Sequence, residues 1–223
     1  MEFGEVIAAD VVAAVAALDR RLAAHPFPGF IEAIPAFASL MVCFDPLVAD
    51  HDSVIAALDA LLAQPHDAAD DACREVEIEV CYDGDDLAPD LDALAAMQGL
   101  DAQAAVAAHL RGEYRVVMYG FAPGFAYMSG APSEIAAPRK AQAIRNVPAG
   151  TVIVAAGMCI VTTIVMPTGW WRIGRSPTAI LRPHDPRPFL FEAGDRVRFR
   201  RITREEFAGA GRRTQERRWG GGA

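Results

Sequence analysis

The 223 residues suffice for one large domain or two small ones. With 52% apolar and 22% charged residues the composition excludes disorder and collagen-like repetition, although 43 alanines leave fewer core-forming side chains than the percentage implies. A formal net charge of -8 disfavours nucleic-acid binding, and Cys43, Cys73, Cys81 and Cys159 lack the CxxC spacing of a zinc knuckle, redox pair or secreted disulfide framework.

In chain order, Val11, Val15, Leu18 and Leu22 recur at helical spacing after Asp10, a predicted N-cap, with Pro26 beyond the end. No basic segment precedes an apolar one there, so a leader is not expected and a reducing cytoplasm fits the cysteine usage. Phe30 to Phe44 reads as extended chain interrupted by Pro35 and ended by Asp45-Pro46. Ser53 to Leu62 reads as a second helix. Glu75, Glu77 and Glu79 alternate with Val76, Ile78 and Val80, which predicts a strand with one wet and one buried face. Two alanine-rich helices, Asp90 to Met97 and Asp101 to Leu110, flank Gly99, and Tyr114 to Tyr119 reads as a strand. Residues 1–110 are therefore expected to form a small α+β domain.

After Gly120 the texture changes: nine of the fifteen prolines fall between Pro123 and Pro188, and helical periodicity disappears. Thr151 to Ala156 and Ile160 to Val165 are β-branched runs around a glycine turn, and Arg196 to Ile202 alternates charge with Val197 and Phe199. Residues 111–207 are expected to form a mostly β barrel, and 208–223, rich in glycine and arginine, a disordered tail. The uncharged stretch Asn146 to Trp171 is broken by Pro148, Gly150, Gly157, Pro167 and Gly169, so it reads as buried strands rather than a membrane span.

Charge is divided along the chain: residues 1–110 carry -18 and residues 111–223 carry +10. Docking of first-half acids on second-half bases is the simplest expectation, with a positive face for a small anion as the alternative. Lys140 is the sole lysine, and neither GxxxxGK[ST], HExxH nor GxSxG occurs, so no phosphate loop, metal motif or serine elbow is expected. Cys159, inside an apolar run, reads as a buried small hydrophobe.

Gly120-Phe-Ala-Pro-Gly-Phe-Ala-Tyr127, Ala137-Pro138-Arg139, Val147-Pro148-Ala149-Gly150, Pro167-Thr168-Gly169-Trp170, Ile173-Gly174-Arg175-Ser176-Pro177 and Ala193-Gly194-Asp195-Arg196-Val197 occur in one order. Together they resemble the family of the 5-oxoprolinase B component, also described as allophanate hydrolase subunit 1, which includes the kinase inhibitor KipI. The resemblance implies a small α/β domain followed by a cyclophilin-like β-barrel. It also implies work as one component of an ATP-dependent complex that opens 5-oxo-L-proline to L-glutamate, with the C-type and A-type components of 5-oxoprolinase as partners and ATP used at the level of the complex. Two alternatives stand beside this: a non-catalytic KipI-like regulator of a partner such as a histidine kinase, meeting it through an apolar Gly157 to Val165 surface, and a carboxyltransferase-like component of a urea carboxylase or allophanate hydrolase system. Against relatives, Met158, Thr162, Val165 and Met97 stand where Gln, Tyr, Glu and His are usual, and a further strand would precede Phe3.

The predicted binding residues for a small anionic substrate are Arg139 and Arg175 as a paired guanidinium cradle, with Gly120, Pro123, Gly124 and Tyr127 shaping a loop and Trp170 as a stacking surface. Arg145 lies beside the matched segments. No catalytic nucleophile and no metal ligand set is predicted.

Overall fold

The computed structural model describes residues 1–4, 8–64 and 74–210, which form two units: 1–74 with 117–119, and 75–116 with 120 onward. The division falls at 74/75 rather than near residue 110.

In the first unit, α1 (Ala9–Ala24) starts after Ala8, so Asp10 sits in the first turn, where its charge favours the helix dipole, and is not the cap. β1 (Phe30–Pro35) and β2 (Leu40–Phe44) pair antiparallel with a bulge at Phe30/Glu32. Glu2 adds a bridge to Ser39, so the residues before Gly4 already extend this hairpin. α2 (His51–Leu62) begins two residues earlier than the hydrophobic pattern predicts because Asp50 and Ser53 form a capping box, Ser53 N–H donating to Asp50 Oδ1 at 2.9 Å. Val15, Leu18 and Leu22 of α1, Leu40 of β2, and Val54, Leu58 and Leu61 of α2 make the core. Their helical spacing is what turns two sequence-local stripes into one apolar layer.

The second unit holds β3 (Glu75–Val80), α3 (Leu91–Met97), α4 (Ala102–Leu110), the first three residues of β4 (Tyr114–Tyr119), β5 (Ala126–Ser129), β6 (Ile144–Val147), β7 (Thr151–Ala155), β8 (Met158–Val161), β9 (Met166–Thr168), β10 (Trp171–Arg175) and β11 (Arg196–Arg201). Seven strands form one sheet in the order β10-β7-β8-β5-β4-β11-β3, and β6 and β9 form a separate two-stranded ribbon. β3 lies in this unit because it pairs in parallel with β11 over six residues, Glu75 opposite Arg196 through Val80 opposite Arg201.

The two ends of the sheet meet. Cys81 N–H donates to Arg175 O at 2.8 Å and Arg175 N–H donates to Cys81 O at 2.9 Å, which joins the end of β3 to the end of β10. This seam makes the sheet a nearly closed barrel, removing an edge that would otherwise carry unpaired backbone groups. Gly174 is required there: a Cβ would lie 2.7 Å from Val80 Cγ1 and 3.1 Å from Cys81 O.

The predicted run from Ile160 to Val165 ends as a strand at Val161; Thr162 still bonds across to the β7 end, its N–H donating to Thr151 O at 2.9 Å while its Oγ1 accepts from Thr151 N–H at 2.9 Å and donates to Pro148 O at 2.7 Å. Residues 204–210 are helical, which includes the first three positions of the expected tail; residues 211–223 and Cys73 lie outside the described residues. Among the described residues no helix is long and apolar enough to cross a membrane.

Part of the charge division is met by ion pairs within this second unit. First-half acids meet second-half arginines at Arg172–Asp90 (2.7 Å), Arg200–Glu77 (2.9 Å), Arg201–Asp83 (2.8 Å) and Arg204–Asp86 (2.6 Å), as the docking expectation requires.

Candidate binding site

The loop Gly120–Phe125 is a chain of tight turns. Ala122 N–H donates to Gly120 O at 2.8 Å, a γ-turn, and its central residue Phe121 has φ 68°. That form is rare and strained, and for a bulky side chain a left-handed φ costs on the order of 1–3 kcal/mol. Phe125 N–H donates to Ala122 O at 3.0 Å and Gly120 N–H to Phe125 O at 3.2 Å, closing the loop around Pro123. Gly124 also has φ 68°, and a Cβ there would meet Phe189 at 2.9 Å, so this glycine is needed on both counts.

The loop delivers Phe121 and Phe125 to a cavity of about 350 Å³ that Tyr127, Arg139, Lys140 and Trp170 also line. Phe125, Ile153, Ile160, Met166 and Trp170 are buried together beneath it. Ring centroids run from Phe121 to Phe125 (5.6 Å), on to Tyr127 (5.4 Å) and on to Trp170 (6.1 Å). At the end of this series the Arg139 guanidinium lies 5.5 Å from the Trp170 centroid. Phe121 is 70% exposed although Trp170 is 6% exposed, so the rings lead from solvent to a packed floor.

The two cations of the cavity have different tasks. Lys140 Nζ is 2.6 Å from Asp90 Oδ1, and Arg172 gives Asp90 Oδ2 both its backbone N–H (2.9 Å) and its Nε–H (2.7 Å). Burial alone would raise the Asp90 carboxyl, but these hydrogen bonds outweigh it and hold the group below its ordinary value. Lys140 is thereby committed to bracing the wall. Arg139 has no carboxylate within ion-pair distance among the described residues, so its fork is available to a ligand.

Of the sequence-predicted residues, the structure brings together Tyr127, Arg139 and Trp170 at the cavity, and makes Gly120, Pro123 and Gly124 the frame of the loop beside it. Arg175 is not brought there. It ends β10 at the barrel seam, where burial lowers its guanidinium against the raising effect of Asp86. The paired cradle of Arg139 and Arg175 is therefore replaced by one guanidinium over an aromatic face. Arg145 is exposed on the β6 ribbon. Phe121, Phe125 and Lys140 were missed by sequence reasoning; Phe121 had a signal, a bulky residue squeezed between Gly120 and Pro123.

The expected apolar surface from Gly157 to Val165 is mostly interior: Cys159, Ile160, Val161 and Thr162 are each at most 1% exposed, and Ile164 and Val165 are the exposed members. Met158, Thr162, Val165 and Met97 do not line the cavity. Among the described residues no group of three or more His, Cys, Asp or Glu is placed to hold a metal ion. Arg139 thus offers the cavity a guanidinium beside the Tyr127 and Trp170 rings, a lining able to hold an anion with a flat apolar body.

A family model described as carboxyltransferase domain, subdomains C and D, matches residues 1–191. The B component of 5-oxoprolinase from Bacillus subtilis (strain 168) is 38% identical over 217 residues, 93% of this chain and 90% of that protein. The crystal structure of TTHA0988 superimposes with TM-score 0.80 at 34% identity over 91% of this chain; this chain spans 39% of that one. The Kluyveromyces lactis urea amidolyase superimposes with TM-score 0.71 at 16% identity over 93% of this chain and 14% of its own, a likeness of fold alone.

Proposed function

From the premise that this chain belongs to the carboxyltransferase domain C and D family, to which it is joined by likeness to B components of 5-oxoprolinase, we propose that it is the B-type component of an ATP-dependent 5-oxoprolinase. The observation that carries this reading is the near-full-length likeness to the Bacillus subtilis protein, 93% of one chain against 90% of the other.

In this reading the Arg139 cavity receives the substrate. 5-Oxo-L-proline is a small ring with one carboxylate: the guanidinium fork takes the carboxylate and the Tyr127 and Trp170 faces pack against the ring. Gly120, Pro123 and Gly124 hold the loop that carries Phe121 and Phe125 to the rim. A cavity with one available cation suits a monoanion rather than a triphosphate.

The test is co-expression of the chain with candidate C-type and A-type components, purification of the complex, and measurement of ATP-dependent glutamate release from 5-oxo-L-proline. Turnover that requires all components supports the assignment. A verified complex that hydrolyses no 5-oxoproline overturns it.

A further inference from the structure

On the solvent face of β3 and β11, three glutamates and three arginines stand in register: Glu75 beside Arg196, Glu77 beside Arg198 and Glu79 beside Arg200. The side chains do not pair rung by rung. Arg200 takes both Glu77 and Glu79, and Arg198 reaches back to Glu75 at 3.4 Å. This offset leaves Arg196 without a carboxylate among the described residues. On its other side Arg196 faces Arg115 of β4, directly opposite in the antiparallel register. Arg115 likewise has no carboxylate partner among the described residues. Directly opposed like charges on paired strands destabilise a sheet, so the arrangement asks for a counter-charge.

The two guanidinium groups line a cavity of about 620 Å³ between the α4–β4 turn and the β4/β11 surface, separate from the Arg139 cavity. Two further arginines of its wall are occupied, Arg111 by Glu134 and Arg198 by Glu75, and the remaining carboxylate of the rim, Glu113, pairs with neither Arg115 nor Arg196. The cavity thus presents two adjacent forks with five N–H donors each, in a concavity of the size that holds small ligands. A phosphate group, with two charges and three or four acceptor oxygens, satisfies both forks at once; a monocarboxylate satisfies one.

We infer that Arg115 and Arg196 form a binding site for a phosphate-type dianion. The proposal does not depend on the 5-oxoprolinase reading.

The experiment follows the arginine Nε–Hε NMR signals of the full chain during titration with inorganic phosphate and, in a second arm, phenyl phosphate, with sodium chloride at matched ionic strength as control. The expected result is saturable displacement of the Arg115 and Arg196 signals by a phosphate, with at least tenfold weaker binding in R115Q/R196Q and unchanged binding in R145Q, a variant of an exposed arginine of β6. Tighter binding of phenyl phosphate assigns the ligand to a phosphate ester, and equal or tighter binding of inorganic phosphate to the free ion. Displacement no greater than chloride produces, or equal affinity in parent and double variant, overturns the site. The parent signals decide the question even where the double variant folds poorly.

Discussion

The Arg139 guanidinium lies 5.5 Å from the centroid of the Trp170 ring, a cation set on an aromatic face at the inner end of a series of rings that begins at exposed Phe121. Stacking of this kind contributes about 0.5–1 kcal/mol at an exposed site and leaves the edge of the fork, with its N–H donors, free to bind. In the assembled complex Arg139→Ala is expected to lower kcat/KM for 5-oxoproline about 10–100-fold, the equivalent of about 1.5–3 kcal/mol for a charge-assisted hydrogen bond, with most of the loss in KM. Arg139→Lys keeps the charge but not the fork and recovers only part of it. Arg175→Ala leaves KM within about twofold, since the seam uses the backbone of Arg175 and not its side chain. Steady-state kinetics separate the three, and a KM increase in Arg175→Ala as large as in Arg139→Ala would restore the paired cradle.

Phe121 combines a left-handed φ of 68° with 70% exposure, so it contributes strain without core packing. Asparagine tolerates that backbone better than phenylalanine does. Phe121→Asn is expected to leave Tm at or above that of the parent chain while raising the KM of the complex several-fold, because the rim loses a ring. A fall in Tm would show that Phe121 is held for packing, and an unchanged KM would remove it from the site.

Ala156 and Gly157 are a two-residue connection between β7 and β8, both with positive φ (50° and 75°), and Ala155 pairs with Met158 across it. Two positive φ values in a two-residue hairpin define a type I′ turn, in which Asn-Gly is preferred and alanine is strained. Ala156→Asn is expected to raise stability by about 0.5–1 kcal/mol, or Tm by about 1–4 °C, measured by thermal denaturation. A lower Tm would mean that the turn is fixed by contacts of the alanine methyl.

Much of this architecture could be read from local pattern because local pattern causes it. Glu75, Glu77 and Glu79 alternate with buried neighbours, and the strand is there over Glu75–Val80; Tyr114 to Tyr119 is a strand at the predicted bounds. The unit boundary was not legible, because it depends on β3 pairing with a strand about 120 residues away, and a parallel partner leaves no mark in a strand's own alternation. The same holds at the site. Arg139 and Trp170 stand in motifs that mark them, but whether Arg175 joins them depends on which side of the barrel seam its residue falls. That was decided by Gly174 packing on Val80, a contact between distant segments.

His109 is fully buried between Tyr82 and Cys159: its Nδ1 is 2.8 Å from the Tyr82 hydroxyl and its Nε2 is 3.4 Å from Cys159 Sγ, with the Phe199 ring centroid 4.4 Å from its own. Burial pushes its pKa down to about 3, far below the ordinary value near 6.5, and pushes the Cys159 thiol up, so both groups stay neutral. The sign follows from linkage. The native imidazole refuses a proton that the unfolded chain accepts, so the stabilisation present above pH 6.5 is lost as pH falls from about 6.5 towards 3, at up to about 1.4 kcal/mol per pH unit. Urea denaturation at pH 7, 6 and 5 samples this window before most carboxylates titrate. His109→Gln should cost about 2–3 kcal/mol at pH 7, from a smaller side chain and an orphaned hydroxyl. It should also flatten the slope between pH 6.5 and 5. Equal slopes in the parent and His109→Gln would mean that the folded protein admits the proton, and that the Tyr82–His109–Cys159 chain opens to water well before the barrel does.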